Sequence, residues 1–467
     1  MARPFFAALI RSPVSLIGTA LAATSLTLIL ALFAIEVVGF EGGAYLGILT
    51  YLILPAICIV GLLLIPLGIH RQRLQAASRT PDDPKARFPV IDMNSEQTRR
   101  SIVVFLVLTM IITIVLATAT YKGVEVMESD AFCGTVCHTP MQPEHTAHQH
   151  SPHARVRCAD CHIGPGADWF VKSKLSGAWQ LIAVSLDIFP RPIHTPIENL
   201  RPARDTCEQC HWPTKFVGDR LNVKTVYADD EANTELKTAV LLKVGGVSGR
   251  EASGIHWHVD PGVQIRYQSD ADRMKIYDVE LTRPDGTVHL YRTGEQPEGE
   301  AEWRVMDCVD CHNRPAHRYK SPDEEVNSAM ADGRIDTSLP FIKREGVKAL
   351  EASYDSHEQA RGAIAERIRA YYADTWPDVA AKQADAVAQA VDVLGNIYAA
   401  NIFPAMQVRW DTYPEHIGHQ DSPGCFRCHD RKHKTEAGES ISRSCSTCHT
   451  VLAEEEADPE ILQALNP

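Results

Sequence analysis

Five copies of a Cys-x-x-Cys-His pattern punctuate the chain, at Cys158, Cys161 and His162, Cys207, Cys210 and His211, Cys308, Cys311 and His312, Cys425, Cys428 and His429, and Cys445, Cys448 and His449. A sixth copy, CGTVCH from Cys133 through Cys137 to His138, has one extra residue between its cysteines and is followed closely by Met141. Two thiols so spaced add across the vinyl groups of a haem, and the adjacent histidine swings under the iron as proximal ligand. Zinc ribbons also use Cys-x-x-Cys, but they couple two pairs at a regular separation, whereas here every pair carries its own histidine. Disulfides would leave that repeated histidine unexplained. The pattern therefore predicts six covalently bound c-type haems.

Haem of this type is attached outside the cytoplasmic membrane, so the motif-bearing part must be exported, and the N-terminus supplies the means. Three runs without charge, Val14 to Ile35, Ala44 to Ile69 and Ile102 to Thr120, precede the first motif. At about 1.5 Å per residue each is long enough for a hydrocarbon core of about 30 Å. The first is too long for a signal-peptide core and no small-residue cleavage pattern closes it, so it reads as an anchor. The segment between the second and third runs carries Arg71, Arg73, Arg79, Lys85, Arg87, Arg99 and Arg100, while the FEGGA link after the first run has no basic residue. Positive residues stay inside, which places that loop, Arg3 and Arg11 in the cytoplasm and the chain from residue 121 onward in the periplasm of a bacterial inner membrane. The one unpaired cysteine, Cys58, lies within the second run and reads as an inert buried thiol.

The net charge of the whole chain is −13. An acidic exported part without a basic-aromatic stripe disfavours nucleic acid as a partner. The runs also lack internal charged or histidine residues, which argues against a proton path or a membrane-embedded haem within them.

The uneven motif spacing gives the organisation: a three-helix membrane anchor (1–120), a module of three motifs (121–212), a β-rich insertion (213–300), a fourth-motif segment (301–320), a helical segment (321–410) and a C-terminal module with two motifs (411–467). The fold class expected is three transmembrane helices followed by a mostly α and irregular multihaem domain with a small β insertion. In MKIYDVELTRPDGTVHLYRTG near-alternating apolar residues flank Pro284, Asp285 and Gly286, which signals a hairpin, and Val263 to Tyr267 is a further strand candidate. Ser321 and Pro322 ahead of acidic residues mark a helix start, Ser356 with Gln359 a capping box, and Val379 to Ile402 one long amphipathic helix.

The stretches CGTVCHTPMQP, SPHARVRCADCH and GPGADWFVKSK resemble the NapC/NrfH (NapC/NirT) family of membrane-anchored quinol dehydrogenases. The blocks DTCEQCHWPTKF, GIHWH, DCVDCHNRPAH, IGHQDSPGCFRCHD and CSTCHTVLAE look more like the larger ImcH-type inner-membrane cytochromes within that group. The resemblance implies oxidation of membrane quinol, with menaquinol favoured, and onward transfer of electrons to periplasmic cytochromes or a reductase. It also implies that the first haem faces the membrane and takes Met141 as ligand. A thioether is softer than imidazole and shifts haem potential upward. The family usually has two residues between these cysteines and places methionine one position closer, so His138 stays open as the ligand instead.

The same resemblance assigns His153 to the fourth haem and His317 to the third. For the second, fifth and sixth haems His194, His256, His258, His419 and His433 form a pool without pairing. Lys172 and Lys174 match family lysines near the first haem, where a cation would hydrogen-bond a quinol oxygen, and Asp168 or Glu128 stands as proton acceptor, because the family aspartate falls on Ala178. The stretch from Asp168 to Leu186, with Trp169, Phe170 and Trp179, has the composition of a helix at the lipid interface. The motif pair of Cys425 and Cys445 is the expected electron exit. Two other classes remain open: a haem subunit of a larger respiratory complex, and a terminal multihaem reductase. Assembly into an oligomer or complex is compatible with each of them.

Overall fold

A computed structural model describes residues 12–37, 49–77, 93–164, 167–197, 201–212, 218–248, 251–297, 299 and 301–465. Arg3, Arg11, the FEGGA link and most of the basic loop lie outside these residues. The chain divides into two compact units, Met1–Val136 and Cys137–Pro467.

In the first unit the apolar runs become helices α1 (Pro13–Val37), α2 (Leu54–Ala77) and α3 (Glu96–Met127). Within them Pro13–Ala34, Leu54–Gln72 and Met110–Met127 are long and apolar enough to cross a membrane. Helices α1 and α2 meet along small residues: Ser15, Ala22 and Ser25 are buried on one, Cys58 on the other. A side chain added at Gly18 would lie 2.7 Å from the carbonyl oxygen of Gly61, and one at Gly61 only 2.6 Å from the amide nitrogen of Ala22. Close backbone approach of this kind is how helices associate where lipid removes the hydrophobic drive. The Ser15 hydroxyl donates across the pair to the Ile65 carbonyl at 2.9 Å, and Cys58 is the buried thiol expected from its apolar run.

The second unit opens with α4 (His138–Gln149) and α5 (Ala167–Ser185). Strands β1 (Arg220–Tyr227) and β2 (Glu235–Leu242) form an antiparallel hairpin, β3 (Gly246–Ser248) pairs with β4 (Glu251–Ser253), and β5 (Gln264–Ser269), β6 (Ile276–Thr282), β7 (Val288–Arg292) and β8 (Arg304–Val305) make a sheet of order β7-β6-β5-β8. The turn between β6 and β7 falls on Pro284, Asp285 and Gly286, and Gly286 takes the left-handed φ of 82° that a side chain disfavours. The final strand, β9 (His449–Glu456), adds to β2. Both sheets thus cross the segment boundaries drawn from motif spacing: β8 belongs to the fourth-motif segment and β9 to the C-terminal module.

The helical segment comprises α6 (Pro322–Ala331), α7 (Ile342–Glu351), α8 (His357–Thr375), α9 (Pro377–Lys382) and α10 (Ala384–Asn401). Ser321 caps α6 by accepting from the Glu324 amide, and Ser356 caps α8 by accepting from the Gln359 amide at 3.1 Å. The Gln359 side chain accepts from the Asp355 amide, one residue earlier than a capping box requires. The single helix expected from Val379 to Ile402 is instead two, broken at Gln383 (φ −123°, ψ 33°), and no glycine or proline marks the break. The largest apolar core of the second unit lies here, with Ile335, Ile342, Ile364, Ile368, Leu394 and Tyr398 buried together. It holds the β1–β2 hairpin through Asn327, whose side chain accepts from the Tyr227 amide, and through Asn233, which donates to the Leu339 carbonyl.

Removing buried methylene groups from this core costs transfer energy plus a cavity. The substitution Ile364→Ala is therefore expected to destabilise the domain by about 2–5 kcal/mol, read as a lower unfolding midpoint in denaturant with covalent haem content unchanged.

Candidate haem-binding centres

Each Cys-x-x-Cys-His pattern outside the first begins on a short helical turn: Cys158–His162 holds its whole pattern, Ala203–Cys207 ends on the first cysteine of the third, and Cys308–Asp310, Gly424–Arg427 and Cys445–Cys448 carry the start of the other three. Such turns place the histidine amide back on the first cysteine: His211, His312 and His429 donate to the carbonyls of Cys207, Cys308 and Cys425 at 2.8, 2.8 and 3.1 Å. At the first pattern the segment Phe132–Val136 coils as a π-type turn, a geometry that takes up one residue more than an α turn, and this is where the extra residue sits. Met141 follows in the first turn of α4, its amide bonded to the Cys137 carbonyl at 3.1 Å. The side chains of His138 and Asp168 lie outside those described.

Every motif histidine from the second to the sixth faces another imidazole. Ring centres are 6.0 Å apart for His162 and His317, 6.0 Å for His211 and His153, 6.5 Å for His312 and His256, 5.9 Å for His429 and His258, and 6.1 Å for His449 and His419. Two of these pairs differ from what the resemblance implies. His153 stands at the third motif rather than the fourth, and His317 at the second rather than the third. The reason is local anchoring: the Nδ1 atom of His317 is tied to the Glu144 carbonyl of α4 at 3.0 Å, which brings the NRPAH loop over His162, and His153 is tied in turn to the Pro315 carbonyl of that loop at 3.2 Å. Of the remaining pool, His256, His258 and His419 each stand beside one of the other motif histidines. His194 is exposed, without a ring contact among the described residues. His433 is fully buried with Nδ1 on the Asp430 carboxylate at 2.9 Å and Nε2 unpartnered, and it faces no motif histidine among the described residues.

His256 and His258 share one turn of 3-10 helix, Ile255–Val259, and thereby serve two motifs at once. Both turn Nδ1 onto backbone carbonyls, Val244 at 3.1 Å and Ile255 at 2.7 Å. The turn is entered through Gly254 (φ 75°), where an added side chain would lie 2.5 Å from the Lys243 carbonyl oxygen. Lys243 also binds the sixth motif, its amide donating to the Cys448 carbonyl at 2.8 Å and its ammonium to the Ser446 carbonyl at 2.6 Å. Burial lowers the pKa of His258, and of His317 to about 4 against an opposing pull from Glu144. A lowered pKa favours the neutral ring, the form in which imidazole binds a metal.

Successive motifs are also neighbours through their cysteines. Cys161 interacts electrostatically with Cys210 and Cys207, Cys207 with Cys308, and Cys425 with both Cys311 and Cys448. The attachment points form a row that follows chain order from the second motif to the sixth.

Sequence reasoning missed Asp310, a buried carboxylate inside the fourth motif. It accepts from the Tyr267 hydroxyl at 2.6 Å and from Arg304 at 2.8 Å, while its carbonyl accepts from Arg427 of the fifth motif at 2.5 Å and contacts Nδ1 of His416 at 3.2 Å. It joins the β sheet to two motifs. Nothing in the motif distinguishes this aspartate from an exposed one. His416, buried and lowered to about 4 chiefly by desolvation, was likewise unmarked.

Residues 95–190 match the model of the NapC/NirT cytochrome c family, N-terminal region. The cytochrome c-type protein ImcH of Geobacter sulfurreducens is 44% identical over 450 residues, which cover 95% of this chain and 88% of that protein. The chain belongs to the NapC/NirT cytochrome c family. No solved structure matches it. The family implies covalently bound c-type haem, and the ring separations fit that group. A metal–imidazole bond of about 2.0–2.1 Å on each side, plus about 1.1 Å from ring nitrogen to ring centre, puts two axial imidazoles roughly 6.3 Å apart between centres.

The helix expected at the lipid interface is α5, which exposes Leu175, Trp179, Leu181 and Ile182. Lys172 lies on it with its ammonium 4.5 Å over the Trp169 ring, and Lys174 is half-exposed.

Breaking a buried ion pair leaves its partners uncompensated. Asp310→Ala should therefore cost about 3–5 kcal/mol, measured as a fall in the thermal midpoint, while Asp310→Asn, which keeps an acceptor for Tyr267, should cost less.

Proposed function

We propose that this chain is a hexahaem cytochrome, anchored in a bacterial inner membrane, that oxidises a quinol, menaquinol by preference, and passes the electrons to redox partners in the periplasm. The observation that carries this reading is the row of five imidazole pairs at a common separation, joined by neighbouring cysteines in chain order. When bound, haem supplies reversible one-electron transfer.

The twelve motif cysteines would hold the six groups covalently. His162, His211, His312, His429 and His449 would serve as proximal ligands, and His317, His153, His256, His258 and His419 as the respective distal ones. Met141 or His138 would complete the first centre. An imidazole on both sides of five irons would favour electron transfer over a terminal reductase. The positive-inside bias of the basic loop supports a periplasmic placement of the second unit.

Quinol oxidation requires a hydrogen-bond donor to the quinol oxygen and an acceptor for two protons. Lys172 and Lys174 of α5 would provide the donors, and the Asp168 carboxylate would take the protons one at a time and release each to solvent. The exposed apolar residues of α5 suit the boundary at which a lipid-soluble quinol is met. Electrons leave toward a soluble cytochrome or reductase at the C-terminal module.

Full-length protein in proteoliposomes is expected to be reduced by a menaquinol analogue, and Lys172→Met to lower kcat/KM roughly tenfold through loss of a charged hydrogen bond. Intact protein that stays oxidised with excess quinol would overturn the reading. Gly254→Ala should displace His256 and His258 together, so its spectrum should lose two low-spin haem signals rather than one. Loss of a single signal would contradict the shared turn.

A further inference from the structure

Four candidate distal ligands fix Nδ1 on a backbone carbonyl, but one has a carboxylate there as well. Nδ1 of His317 lies 3.0 Å from the Glu144 carbonyl oxygen and 3.1 Å from its carboxylate oxygen Oε2. The contact is built rather than incidental. Arg314 holds both Glu144 oxygens at 3.0 Å and donates from Nε to the His317 carbonyl at 2.7 Å. The Arg314 guanidinium is itself packed between the rings of Tyr413 and Tyr319, 4.3 and 5.1 Å from their centres. Glu144 also stands three residues after Met141 on α4, so the two share a helix face and the segment that leaves the first motif carries the acceptor for the second motif's distal ring.

We infer that Glu144 is a positioning residue that sets the reduction potential of the second haem through the distal ligand His317, with Arg314 as the counter-charge that limits the effect. The inference rests on the assignment of His317 as a distal ligand. A ligating imidazole that donates its second N–H to a carboxylate is fixed in orientation and becomes a more basic donor. Added electron density at the iron favours the ferric over the ferrous form, so the carboxylate lowers the potential of this centre. Arg314 draws charge from the same carboxylate and opposes that shift. The chain thereby grades the second centre independently of the third and fifth, whose distal rings, His153 and His258, rest on neutral carbonyls at 3.2 and 2.7 Å.

The test is a spectroelectrochemical titration of the full-length protein in detergent, with low-temperature electron paramagnetic resonance following each low-spin centre. Glu144→Gln is expected to keep the bis-imidazole signal of every centre and to move one midpoint upward by roughly tenfold in the oxidised-to-reduced equilibrium, equivalent to about 59 mV for one electron. Arg314→Gln should move the same centre the opposite way, and Glu144→Asp should return it toward the original value. Unchanged midpoints in Glu144→Gln, or shifts of the same sign in both charge variants, would overturn the inference. Conversion of the centre to high spin in Glu144→Gln would also overturn it, since Glu144 would then serve only to keep the ligand in place. His317→Gly separates the two claims: it should turn one centre high-spin, and a fully retained low-spin spectrum would instead remove the ligand assignment.

Discussion

The rest of the molecule depends on holding imidazole rings in facing pairs about 6 Å apart. Coordination bonds tolerate little error, so each ring must be fixed in position and in tautomer by something other than the metal. The chain does this mostly with main-chain carbonyls: Pro315, Val244 and Ile255 receive Nδ1 of His153, His256 and His258. A backbone acceptor is as stiff as the element that carries it. That explains why the turns bearing these carbonyls are themselves tied to sheets and motifs, as Lys243 is to Cys448.

Stiffness must come from elsewhere, because the motif turns have little of their own. A helix of four or five residues is well below the length that sustains itself in water. The long-range ties are therefore concentrated in two places. One is the Asp310 network, where a carboxylate, two arginines and a tyrosine bind the β7-β6-β5-β8 sheet to the fourth and fifth motifs. The other is the helical segment, whose apolar core carries no motif yet anchors the β1–β2 hairpin. Strand β9 begins at His449 itself and pairs with β2, so the sixth motif is fastened to the same hairpin.

What the sequence discloses follows from how local each constraint is. Cysteine spacing, the three apolar runs, the hairpin at Pro284 to Gly286 and the cap at Ser321 are written in a few consecutive residues, and each appears where composition places it. Ligand pairing is different. His317 reaches the second motif only because Glu144, far away in the chain, receives its Nδ1, and His153 reaches the third because that same loop then passes beside it. The resemblance, read from the SPH and NRPAH blocks alone, implies for each the motif after the one it stands beside. The break at Gln383 has no local mark either, and the depth of Asp310 depends on the sheet beneath it.

Cofactor attachment and folding are coupled in such a domain. The buried apolar side chains of the second unit gather in the helical segment, in the four-stranded sheet and around Phe403 and Met406, whereas the motif turns bury little beyond Ala159 and Ala203. Metal binding contributes folding free energy directly when the ligands are not otherwise held together. On the proposed ligation the ligands of one centre come from segments distant in sequence, as with His256 and His312 or His258 and His429, so each metal bond would close a long loop as well as hold the cofactor. The entropy of that closure grows only slowly with loop length. The helical segment can therefore lie between the fourth and fifth motifs, lengthening the connection at little cost while supplying the packed core that the motif-bearing turns lack.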